Sequence, residues 1–104
     1  MTIQDRRLEL HALLKSIMNG NKVYHQPPEN TKMQYPCIVY ERSGDRPIHA
    51  DDIRYHDRTR YTVTLIDKKS VSDYLEPLLN LPYCAYDRHF TSDDLNHDVF
   101  TLYF

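Results

Sequence analysis

Glycine is scarce in this chain, which has Gly20 and Gly44 and no others among 104 residues. With Gly20 and Gly44 so far apart, neither a P-loop nor a dinucleotide fingerprint can be written, so a glycine-rich phosphate cradle is excluded. Cysteine is equally scarce. Cys37 and Cys84 stand inside predicted strands, where a small half-buried hydrophobe serves as well, and they are expected as two reduced thiols. Long apolar runs are missing: nothing approaches the roughly 18–20 residues that span a bilayer. The N-terminus, Met1 to Arg7, leads into a helix and not into a signal-peptide apolar region, so a cytoplasmic protein is expected. A strong charge of one sign is missing as well. With 13 basic and 15 acidic residues the net charge is −2, and the total asks for neither nucleic acid nor an anionic membrane as partner. The balance is uneven, because residues 61–104 hold three basic and seven acidic groups.

A chain of this length forms one domain, 1–104, with one core. Such a domain buries roughly 60–70% of its unfolded surface, so contacts with neighbouring subunits would add usefully to its stability.

Leu10, Leu13, Leu14, Ile17 and Met18 recur at helical spacing, which predicts an amphipathic helix over about 3–19. Thr2 is the expected cap, with Asp5 three residues on, and Gly20 the left-handed stop. Lys22 to Gln26 reads as a short strand ended by Pro27-Pro28. Cys37 to Arg42 reads as a second, and Tyr61 to Ile66, alternating with threonines, as a third. Between them, residues 43–60 are polar and densely charged and read as a loop or arm. Ser70 and Asp73 ahead of Tyr74, Leu75, Leu78 and Leu79 predict a second helix, with a kink at Pro77. After Pro82, Tyr83 to Phe90 and Asp98 to Phe104 read as an antiparallel hairpin whose loop is 91–97.

The expected fold is therefore α+β, in the order α-β-β-β-α-β-β, with a mainly antiparallel five-stranded sheet and two helices on one face. Two helices can cover only one face of such a sheet. In the last strand Phe100, Leu102 and Phe104 point one way, and Val99 and Tyr103 the other, so apolar groups lie on both faces. One face lacks a helix of its own chain, and Phe100, Leu102 and Phe104 are the candidate contact set. Nine tyrosines and three phenylalanines lean the same way, because tyrosine offers apolar area with a polar tip and suits interfaces.

Candidate chemistry is thin. The six histidines, His11, His25, His49, His56, His89 and His97, form no His-x-x-x-His pattern, and the adjacent pairs His56-Asp57 and His97-Asp98 would face opposite ways on a strand. Asp51-Asp52 and Asp93-Asp94 read as solvated turns rather than paired catalytic carboxylates. No catalytic residue, metal ligand or cofactor is assigned, and the expected protein is not an enzyme. Arg42, Arg46, Arg54, Arg58 and Arg60 gather around the central loop with Tyr55 and Tyr61, but interleaved acidic residues cancel the field. Arg46, Arg54, Tyr55 and Arg58 read instead as an arm that docks on another subunit, alternating charge setting its register.

The helix, Lys22-Val23-Tyr24-His25-Gln26-Pro27-Pro28, Tyr35-Pro36-Cys37-Ile38-Val39-Tyr40, the polar loop, the alternating strand, the short helix and the terminal hairpin resemble the small tail-terminator proteins of long-tailed bacteriophages, also called tail completion or head–tail joining proteins. The similarity covers nearly the whole chain as an order of elements. At motif level it is confined to Val23-Tyr24 and Pro36 to Tyr40, and Cys37 stands where that family more commonly has an aromatic residue. The resemblance implies a structural virion protein of the tail-neck region, made in the host cytoplasm. It implies a homo-oligomeric, hexameric ring that caps the tail tube, ends its polymerisation and joins it to the head connector. Its partners would be copies of itself, the tail tube protein and a head connector or stopper protein. DNA would pass the lumen without specific binding, and no cofactor or membrane would take part. Asp87, Asp93 and Asp94 would then face the channel and repel the phosphates passing through it. The alternatives are another head–tail connector or stopper, a small metal-dependent or hydrolytic enzyme using His56 and Asp57, and a regulatory or toxin-type binding module.

Overall fold

The computed structural model describes residues 3–20, 22–27, 32–43 and 59–104. Its elements are α1 (Ile3–Met18), β1 (Lys22–His25), β2 (Cys37–Arg42), β3 (Arg60–Asp67), α2 (Leu75–Leu79), β4 (Cys84–Ser92) and β5 (Leu95–Tyr103), in the expected order. The strands form one sheet, β1-β2-β3-β5-β4. The sheet is mixed. β2–β3, β3–β5 and β5–β4 are antiparallel, whereas β1 runs parallel to β2, which a chain can achieve only by crossing from the end of one strand to the start of the other.

Two cross-strand rows build the core. His25, Tyr40, Val63, Phe100 and Tyr86 lie side by side across all five strands, and Arg42, Tyr61, Leu102 and Cys84 across four. On this face Tyr40, Tyr61, Val63, Leu65, Phe100 and Leu102 are buried together with Leu10, Leu14 and Met18 of α1 and Leu78 of α2. Both helices therefore cover one face. Each such aliphatic or aromatic side chain contributes about 1.5–3 kcal/mol on burial.

Among the described residues no helix lies on the other face. Cys37, Ile66 and Val99 are buried there, while Val39, Thr62, Thr64, Thr101 and Tyr103 are half-buried. Three threonines at its centre make it more polar than the alternation in β5 suggested.

α1 ends as expected, with Asn19 and Gly20 at φ 51° and 92°. Its proposed Thr2 cap lies outside the described residues. α2 is shorter than expected and starts later. The Ser70–Asp73 box does not form its start. Asp67 organises the turn instead, accepting from the Lys69 backbone N–H at 3.0 Å and from Ser72 Oγ at 2.7 Å, while Ser72 Oγ accepts from the Tyr74 N–H at 3.2 Å. The expected kink at Pro77 has no room to arise: Pro77 falls in the first turn of a five-residue helix, where its missing N–H has no intrahelical acceptor to lose.

The hairpin loop is two residues, not seven. β4 continues to Ser92 and β5 begins at Leu95, and Asp93 and Asp94 sit between them at φ 54° and 64°, the positive pair of a type I′ turn.

Candidate functional site

α1 is amphipathic, and Arg7 and His11, one turn apart, lie where its flank meets the sheet. β1 and β2 place His25 beside Tyr40, and β2 and β3 place Arg42 beside Tyr61. Three segments distant in sequence thereby converge at one corner of the sheet. The Tyr40 ring lies 4.9 Å from His25, 5.6 Å from His11 and 6.1 Å from Tyr61 between centroids.

The Tyr40 hydroxyl is fully used. Arg7 has only donors, so its Nη1 donates to Tyr40 Oη at 3.4 Å, and the tyrosine's own hydrogen is left for His11 Nδ1 at 2.8 Å. That direction needs a neutral imidazole. Burial first, then the charges of Lys15 and Arg7, lower the pKa of His11 and favour the neutral ring. His25 is shifted the same way, by burial and then by Arg7 and His11.

Beside this cluster lies a half-open cleft of about 200 Å³, lined by Gln4, Arg7, His25, Gln26, Arg42 and Tyr61. Among the described residues its wall holds two arginines and no carboxylate. Tyr61 is 1% exposed, and its hydroxyl is buried without a hydrogen-bond partner. Burial and the neighbouring Tyr40 push its pKa up, against the lowering effect of Arg42, Arg7 and Arg6, so the hydroxyl keeps its hydrogen and remains a donor. The guanidinium and amide groups of the cleft are donors of the kind that suits an oxyanion. Among the described residues its lining has no serine, cysteine or carboxylate, and His25 is the lining group able to exchange a proton near neutral pH.

The expected contact residues fall elsewhere. Phe100 and Leu102, 0% and 2% exposed, belong to the core beneath the helices, so neither is available on the surface for a partner. Phe104 is half-buried on the same side, with the Arg6 guanidinium 4.4 Å from its ring centroid. The face with no described helix is that of Val99 and Tyr103. Asp93 and Asp94 are exposed at the hairpin tip, and exposed Asp87 is paired with Arg88 at 2.7 Å. Arg46, Arg54, Tyr55 and Arg58 lie outside the described residues, as do His49, Asp51, Asp52, His56 and Asp57. The two stems of that segment meet: Ser43 N–H donates to the Arg60 carbonyl at 2.9 Å, and Arg60 Nε donates to Ser43 Oγ at 3.2 Å.

Both thiols are free, and burial raises Cys37 to about 12 and Cys84 to about 11, which leaves neither nucleophilic at neutral pH. They lie on opposite faces at opposite ends of the sheet. Among the described residues no three His, Cys, Asp or Glu side chains gather as a metal site, and no helix is long and apolar enough to cross a membrane. No protein-family model, curated protein or solved structure matches this chain.

Proposed function

We propose that this chain is a structural subunit that assembles with copies of itself into a hexameric ring, and that the ring is a phage tail terminator. It would cap the tail tube, end its polymerisation and meet the head connector, with DNA passing through the lumen and no cofactor or reaction involved. The observation that carries the reading is the one-sided sheet. Both helices cover the same face, and the other presents Val39, Thr62, Thr64, Thr101 and Tyr103 half-buried, with Phe90 of the neighbouring edge strand 40% exposed. A small domain whose second sheet face has no described helix over it, and only half-buried Val39 and Tyr103 among its threonines, would gain stability from a neighbour. The resemblance in element order and in the Pro36 to Tyr40 segment supplies the specific identity of that assembly.

The direct test is polymerisation of a long-tailed phage's tube protein with and without the purified chain, followed by length measurement in the electron microscope. The expected outcome is growth arrested with a ring density at one tube end. Tubes that lengthen unchanged, with bare ends, contradict the terminator role.

A further inference from the structure

β1 and β4 end the sheet, and among the described residues each pairs on one side alone, β1 with β2 and β4 with β5. An unpaired strand edge presents a row of N–H and C=O groups ready to take another strand. β4 is exposed along nearly its whole length, with Phe90 40% exposed. A bulge between Tyr86 and Arg88 interrupts it, which leaves Arg88 to Ser92 as a regular stretch about as long as β1.

The outward groups follow from the hydrogen bonds. Thr59 and Phe104 exchange both backbone bonds, so the even-numbered residues of β5 bond to β3 and the odd-numbered ones to β4. In β4, Phe90 and Ser92 therefore bond inward, opposite His97 and Leu95, while His89 and Thr91 turn their N–H and C=O outward. In β1 the Gln26 N–H donates to the Tyr40 carbonyl at 3.1 Å, so Lys22 and Tyr24 bond to β2, and Val23 and His25 turn outward. Three antiparallel steps and one parallel step separate the two strands, so β1 and β4 point in opposite directions. A second copy turned about an axis along the strands thus brings its β1 antiparallel to β4.

One register satisfies both edges. With Val23 of the second copy opposite Thr91, and its His25 opposite His89, outward groups meet outward groups in two hydrogen-bonded pairs. Tyr24 then meets Phe90 at the closer, non-hydrogen-bonded spacing, an aromatic pair on the face with no described helix. Lys22 meets Ser92 and comes beside Asp93 and Asp94. All three are exposed, and none forms an ion pair among the described residues, so the charges are free to attract. Sliding β1 two residues one way sets His25 against the bulge, and two residues the other way runs it into the Asp93–Asp94 turn.

We propose that β1 of a second copy of this chain adds to the free edge of β4 in this register, continuing the sheet from subunit to subunit with the helices on one side. This rests on the self-assembling reading above and names its contact. The contact is head-to-tail, because it joins different edges of the two copies, and contacts of that kind generate rings when the rotation closes. It assigns Asp93 and Asp94 to the subunit interface and not to the channel.

A cysteine pair tests it. Tyr24→Cys and Phe90→Cys in one chain sit on opposite edges of the sheet, four strand spacings or about 19 Å apart, too far to bridge within a chain. Between copies in the proposed register they face each other at bridging distance. Mildly oxidised at a concentration where the wild type assembles, the double variant should form covalent multimers that a reducing agent dissolves. Each single variant should behave as the wild type, and so should Tyr24→Cys with His89→Cys, whose side chains leave opposite faces. His89→Pro is the second probe, read by light scattering with a thermal melt as a check on folding. It removes an outward N–H and spares the ladder to β5, so the chain should stay folded while the concentration for half-assembly rises about tenfold. If the double variant gives no multimers, or folded His89→Pro assembles like the wild type, the strand pairing is overturned and the ring survives. A wild-type chain that is monomeric at every concentration overturns the pairing together with the self-assembled ring.

Discussion

Burial and nearby positive charge hold the pKa values of His11 and His25 below the usual 6.5 in the folded chain. The unfolded chain takes up these protons more readily, so the stabilising contribution is present above about pH 6.5 and is lost as pH falls through the lowered folded values. The melting temperature should therefore drop between pH 7 and pH 5, before most carboxylates titrate, and His25→Gln should flatten that slope. An unchanged slope in the variant would show that His25 does not carry the effect. At this scale the sequence was least legible. His11 and His25 read only as two of six scattered histidines, Tyr40 as an ordinary strand position, and Tyr61 as a strand residue beside the arginines of the central loop. The spacings of Arg7 to His11 and of Ile38, Tyr40 and Arg42 mark shared faces, but which faces meet depends on the parallel pairing of β1 with β2, and no local pattern encodes that.

At the scale of elements, identity and order followed from periodicity, and ends followed where a residue's backbone demands one. Gly20 stops α1 at φ 92°, with open space around the position where a Cβ would stand. Gly20→Ala should accordingly cost about 1–2 kcal/mol, entirely from backbone conformation and without any clash, which a denaturant melt measures. A loss near zero would mean that the stop can relax to another conformation. Ends were misread where polarity and structure part company. Thr91, Ser92, Asn96 and His97 looked like loop because they are polar, yet they are ladder residues: β4 is an edge strand exposed along nearly its whole length, so no buried alternation marks it. The start of α2 was misplaced for a related reason. Several serines and aspartates compete there as caps, and the pairing of Ser72 with Asp67 decides among them only once β3 has positioned the carboxylate.

For the whole molecule, the count of strands and helices predicted two helices on one face of the sheet, and both described helices do pack on the same face. Composition could not say which side. The alternation in β5 separates Phe100, Leu102 and Phe104 from Val99 and Tyr103, but both sets are apolar, and only the packing of Leu10, Leu14 and Leu78 shows that the first set is core. Among the described residues the face left over is threonine-rich, and the exposed Asp93–Asp94 tip and the cleft lie at opposite corners of the sheet. The central claim is self-association, and native mass by light scattering over a range of concentrations at low and moderate salt tests it most directly. The account predicts a mass that rises with concentration to six times the 12.5 kDa of one chain, at lower concentration in low salt. A mass of 12.5 kDa under every condition would contradict it.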